Sequence, residues 1–201
     1  MKKWRFLSNQ NSTIVGINDA GIETFTANMN KSLVREIIQN SLDAVIDGCT
    51  DPVEVEFVQF YILRESIPDV DELQRAINKC KKSNQNEPDA YKFFLNAENI
   101  LSQPKIRVLR ISDHKTKGLE GTDTCEKGTS WSRLVKESGS SNKGQGSGSS
   151  FGIGKAAAFA CSDLRTVFYS SKDVRGFSGR TQSGKRPRPH PAAVRSEASA
   201  G

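Results

Sequence analysis

A mixed α/β fold is what this sequence predicts, and three patterns carry the expectation. Residues 30–47 combine helical apolar spacing with candidate caps at both ends. Residues 53–58 and 105–112 read as strands, each opened by a proline. Between them, residues 68–103 return to helical spacing. The 201 residues suit one compact domain with appendages. Charged residues make up 26% of the chain, close to the globular average of about 25%, which argues against wholesale disorder.

The elements follow in order. Residues 1–30 mix polar and apolar side chains, with turn signals at Asn18, Asp19 and Gly21. Asn30 can cap a helix that runs to about Asp47, where Gly48 can end it. Pro52 opens Val53-Glu54-Val55-Glu56-Phe57-Val58, whose alternation predicts a strand with one wet face. Val70, Leu73 and Ile77, then Tyr91, Phe94, Leu95 and Ile100, mark two helical stretches divided by the polar residues 81–88. The second strand stops at Asp113. Between Ser138 and Gly154, six glycines and six serines make a loop too flexible to pack by itself, of the kind used as functional lids or linkers. It runs straight into Lys155-Ala156-Ala157-Ala158-Phe159-Ala160, a strong helix-former sequence, and residues 164–170 predict another strand.

Composition narrows the function classes. No apolar run approaches the roughly 18 residues of a spanning helix, and Met1-Lys2-Lys3-Trp4-Arg5 leads into no signal-peptide core. Cys49, Cys80, Cys125 and Cys161 are scattered, and only His114 and His190 could join them, so a zinc-stapled fold is not expected. Reduced thiols and a cytoplasmic location are the expectation, with no membrane partner. The net charge of +6 raises a nucleic-acid partner. Half of it, however, lies in residues 183–201, which hold Lys185, Arg186, Arg188 and Arg195 against Glu197. With three prolines and Val194 as their one large aliphatic residue, they are expected to be a disordered basic tail foreign to the fold.

Three constellations carry chemistry. On the first helix, Glu36, Asn40 and Asp43 fall within about 60° of arc at roughly 100° per residue. A carboxylate beside an amide oxygen suits a general base next to a magnesium ligand, and it equally suits an ordinary solvated face. Asp113 ends the second strand, with Gly118 and Gly121 beyond it. That arrangement fits a ligand-amine acceptor near close-approach glycines, or simply a strand-ending turn. The third is Gly152-Ile153-Gly154-Lys155 at a helix start, a ready anion site that a flexible linker would also explain. A P-loop is excluded by Ser149 and Ala156, and the dinucleotide fingerprint Gly152-x-Gly154-x-x-Ala157 lacks its preceding strand.

In this order, Glu36-x-x-x-Asn40-x-x-Asp43-Ala44, Asp113 with its glycines, and a glycine lid closing on Phe151-Gly152-x-Gly154-x-x-Ala157 resemble the GHKL ATPase superfamily over residues 30–171. Gyrase B subunits, the large heat-shock chaperone, MutL and MORC-type ATPases and sensor histidine kinases belong to it. The resemblance implies a Bergerat-type two-layer α/β sandwich, a mostly antiparallel sheet with helices on one face. It also implies ATP and Mg²⁺ as ligands. By that resemblance Glu36 activates water, Asn40 holds Mg²⁺, and Asp43 supports the site. Asp113 receives the adenine amino group and Gly118 lines the base pocket. Gly148, Gly152, Ile153 and Gly154 wrap the phosphates, with charge added by Lys155. The spacing of Asp113 to Gly118 departs from the family's tight Asp-x-Gly-x-Gly. Residues 68–103 look like a helical insertion.

The organisation so implied is an ATP-binding domain over residues 1–182, C-terminally truncated, followed by the 183–201 tail. The function implied is ATP hydrolysis driving nucleotide-gated homodimerisation in a larger protein that handles DNA, as in defence against foreign DNA, or handles other proteins. Two other readings remain open: a nucleotide-holding switch or scaffold without hydrolysis, and a basic nucleic-acid-binding domain.

Overall fold

The computed structural model describes Trp4 and residues 20–136, 154–174, 176 and 178–184. Helices and strands are interspersed along them: α1 (Ala20–Thr26), α2 (Met29–Asp43), β1 (Glu54–Leu63), α3 (Val70–Ser83), α4 (Pro88–Leu101), β2 (Lys105–His114), α5 (Ser130–Val135), α6 (Ala156–Ala160), β3 (Thr166–Lys172) and β4 (Ser178–Gly184). A short 3-10 turn, Arg64–Ser66, follows β1. The described strands pair as two separate two-stranded sheets, β1 with β2 and β3 with β4. No helix among the described residues is long and apolar enough to cross a membrane.

The chain divides into two compact units. The first contains Val58–Arg110. Its helical hairpin follows from the sequence. In α3, Asp71 and Glu72 stand in the first turn and Lys81 and Lys82 in the last, which complements the helix dipole. Pro88 opens α4, where its missing N–H costs nothing. The buried positions, Val70, Leu73, Ile77 and Cys80 on α3 and Ala90, Phe94, Ala97 and Leu101 on α4, recur at helical spacing. Phe94 and Leu101 are fully enclosed, and Lys81 pairs with Glu98 between the helices. The Arg64 Nε–H donates to the Leu101 carbonyl at 2.6 Å, satisfying one of the free acceptors at the end of α4. Trp4 Nε1–H donates to the Pro68 carbonyl at 2.6 Å.

The second unit contains Ala20–Phe57 and Ile111–Lys185. Ile22 of α1 with Ala156 and Phe159 of α6 form a buried cluster, against which Phe25, Ala160 and Val167 pack. Small alanines on α6 let it approach its neighbours closely, and Ala156 and Ala157 are both 1% exposed. β3 and β4 are antiparallel, with Thr166 opposite Gly184 and Lys172 opposite Ser178. Trp131 of α5 is buried, and the Thr129 hydroxyl caps that helix by accepting from the Ser132 N–H at 3.3 Å.

The elements differ from expectation at several places. Gly21 lies inside α1 rather than in a turn. The N-cap of α2 is Asn28, which makes no side-chain capping bond, and Asn30 lies within the helix. The helix ends at Asp43 because the Ala44 carbonyl accepts instead from the Lys117 N–H at 2.8 Å and Val45 bridges Thr116. Gly48 therefore turns the chain, at φ +75°, beyond the helix. Ser183 and Gly184 belong to β4 rather than to the tail. The remainder of the predicted tail, 185–201, and most of the Gly/Ser loop lie outside the described residues.

Candidate functional site

The site residues read from the sequence that are described, Glu36, Asn40, Asp43, Asp113, Gly118, Gly154 and Lys155, fall in the second unit on or beside α2, the end of β2 and the start of α6. On α2, Leu33 and Ser41 are buried, Glu36 is half-buried, and Asn40 and Asp43 are exposed. Glu36 and Gly154 are brought together. A Cβ built on Gly154 would sit 3.0 Å from Glu36 Cδ and 3.7 Å from Cγ, and would overlap Oε2. Only a residue without a side chain leaves the carboxylate this place. Lys155, next in sequence, donates from Nζ to the Arg133 carbonyl at 3.1 Å, so its ammonium is seated at the end of α5. Gly148, Gly152 and Ile153 lie outside the described residues.

Asp113 is exposed near the end of β2 and accepts from the Thr116 hydroxyl at 3.3 Å. With His114, Lys115, Thr116, Gly118, Ser170, Ser171 and Lys172 it lines an open cleft of about 290 Å³. Gly118, at φ +67°, is pressed on backbone. A Cβ there would overlap the Lys172 carbonyl oxygen and sit 3.0 Å from Asp173 Cα, neither of which can swing away. The segment is pinned on both sides of this contact. Val174 N–H donates to the Lys117 carbonyl at 3.2 Å, and Leu119 N–H to the Ser171 hydroxyl at 3.0 Å. The same segment holds the end of α2 through Ala44 and Val45. One continuous set of backbone bonds thus ties the Glu36 helix, the loop after Asp113 and the β3 end together.

Glu36, Asn40, Gly154 and Lys155 do not line the Asp113 cleft. The site residues therefore form two groups, one at the cleft and one where α2 meets α6. Ser171, Thr116 and the Lys172 backbone were not singled out from the sequence. The hydroxyl pair Ser170-Ser171 at the end of a predicted strand was the available signal.

Charge around the cleft is mixed, with Lys115, Lys172 and Asp113 in its lining. Lys115 Nζ pairs with Glu54 at 2.7 Å. That hydrogen bond and the ammonium charge hold the Glu54 carboxyl below its ordinary value, with a smaller contribution from His114. Burial pushes the Tyr169 phenol up to about 12, and among the described residues its hydroxyl has no hydrogen-bond partner. Burial likewise raises the Cys161 thiol. No group of three His, Cys, Asp or Glu able to cage a metal occurs among the described residues. Magnesium needs no such cage when one or two protein oxygens and a nucleotide's phosphates complete its shell. Asn40, exposed on the stripe that carries Glu36, fits that limited part.

No family model, curated protein or solved structure matches this chain.

Proposed function

We propose that this chain is a GHKL-type ATP-binding domain with a Bergerat-type two-layer sandwich. It hydrolyses ATP with Mg²⁺ and drives nucleotide-gated dimerisation within a larger DNA- or protein-handling protein. The observation that carries the reading is the seating of the Glu36 carboxylate on Gly154. It joins the acidic helix to the end of the glycine lid, as a base that must face the phosphates requires. The bonds from Ala44 and Val45 to Lys117 and Thr116 add support, since they bring the region of Asp113 to the same helix.

In this reading Asp113 accepts the adenine amino group at the cleft, and the close packing of Gly118 on Lys172 shapes the wall beside it. Asn40 offers its amide oxygen to magnesium, with Asp43 beside it, and magnesium when bound neutralises phosphate charge. Gly148, Gly152, Ile153 and Gly154 supply backbone N–H groups to the phosphates, and Lys155 adds its ammonium after leaving Arg133. Glu36 accepts the proton of the attacking water. Phosphoryl transfer asks mainly for positioning and charge neutralisation, which this set can supply. The test is Glu36→Ala: Mg²⁺-ATP binding is expected to persist while turnover is lost. Retained hydrolysis would remove Glu36 from the role of base.

A further inference from the structure

Within the first unit, β1 and β2 present one partly covered and one open face. On one side Ile106 is buried, Val58, Ile62 and Val108 are half-buried, and Phe60 and Arg110 are exposed. On the other side every residue is exposed: Gln59, Tyr61 and Leu63 on β1, and Lys105, Arg107 and Leu109 on β2. Tyr61 is 63% exposed. The Arg64 N–H donates to the Pro104 carbonyl at 3.0 Å, and both strands are ten residues long. That bond joins the end of β1 to the start of β2, and the Lys115–Glu54 ion pair joins the start of β1 to the end of β2, so the strands run antiparallel, a register that sets Tyr61 beside Arg107 and Leu63 beside Lys105.

The open face carries two cations and no carboxylate. Among the described residues neither Lys105 nor Arg107 is engaged in an ion pair. Two copies packed symmetrically by this face would oppose like charges, which disfavours self-association through it. Its charge complement is a polyanion. Tyr61 adds a broad ring that can stack on a base, Arg107 can flank it, and Gln59 offers both a donor and an acceptor. A base can reach an exposed ring only when it is outside a duplex. We propose that this face binds single-stranded nucleic acid, with Tyr61 stacking on a base and Lys105 and Arg107 holding the neighbouring phosphates. None of these residues is among those assigned to the nucleotide, and the binding needs no ATP.

The test is fluorescence anisotropy of the full chain, without ATP, using labelled oligothymidine DNA and oligouridine RNA. A length of about 20 nucleotides exceeds the roughly 4–16 that a small single-strand-binding fold covers. Binding is expected to weaken with salt. Arg107→Gln should reduce the slope against log salt by about 0.7, the value for one phosphate contact on a single strand. Tyr61→Ala should lose about tenfold in affinity, while Tyr61→Phe keeps it because the ring remains. A stronger response to one oligonucleotide would show whether RNA or DNA is the source, and either supports the proposal. It is overturned if Tyr61→Ala binds as wild type, if a duplex of equal length binds as well, or if polyglutamate displaces the strand equally. Binding of polyglutamate with no binding of either oligonucleotide would make this a docking face for an acidic polypeptide and also overturn it. Unfolding curves of the variants should match wild type, since all three substitutions lie on the open face.

Discussion

The approach of Glu36 to Gly154 makes a quantitative prediction that needs no nucleotide. In Gly154→Ala the new methyl would lie 3.0 Å from Glu36 Cδ and would overlap Oε2, so the carboxylate must swing aside. Only the far end of a flexible side chain has to move. The cost is therefore that of an off-rotamer glutamate, about 0.5–1.5 kcal/mol. Against it stands a gain of about 0.4–1 kcal/mol from the stiffer unfolded chain. The net change in stability should stay within about 1 kcal/mol. In a Glu36→Ala background the obstruction is gone and only the gain remains. Urea unfolding of wild type, both single variants and the double variant should thus give a coupling of about 0.5–1.5 kcal/mol between the two positions. Additive effects, within about 0.3–0.5 kcal/mol, would refute the contact. If Glu36 is the base, a displacement of about 1 Å in Gly154→Ala should also lower ATP turnover by about 10²-fold.

Other outcomes concern titration and stability. Burial raises the Tyr169 phenol to about 12, so folding carries no phenolate penalty below its ordinary value of about 10, and stability falls as pH rises from there toward 12. Tyr169→Phe should remove this alkaline loss in urea titrations. It should also be neutral or stabilising at pH 7, because among the described residues the buried hydroxyl has no partner. The Glu54 carboxyl is lowered from 4.5 by Lys115, so the pair's contribution is present above that value and fades as pH falls through the lowered one. A carboxyl NMR titration should show the Glu54 midpoint rising on Lys115→Met. An unmoved midpoint would remove the ion pair.

Much of the fold was legible because its signals are local. Val70, Leu73 and Ile77 announce α3, and Pro88 and Pro104 punctuate the elements around them. The ends of α2 were misplaced for a tertiary reason: the bonds that end it come from Lys117 and Thr116, far away in sequence. Helices α1 and α5 were missed since Gly21 reads as a turn and Trp131 is a lone large aromatic in a polar stretch. β4 was missed because Ser178-Gly179-Arg180-Thr181-Gln182-Ser183-Gly184 has little apolar alternation, its pairing with β3 supplying the order instead. In the site, the helical spacing of Glu36, Asn40 and Asp43 was visible, as was Gly154 at a helix start. Their mutual approach was not, since no local pattern encodes a contact between α2 and Gly154, two residues before α6. The two cations beside Tyr61 were hidden for the same reason: strands β1 and β2 are separated by the whole α3–α4 hairpin.

If the Asp113 cleft takes the base of ATP, as proposed, the carboxylate should decide whether nucleotide binds. Calorimetric titration of a non-hydrolysable ATP analogue with Mg²⁺ into wild type and Asp113→Ala reads this out. Saturable binding is expected for wild type and none for the variant, with both proteins unfolding at similar urea concentrations because Asp113 is exposed. Equal binding by the two proteins, or no binding by wild type, would contradict the proposal.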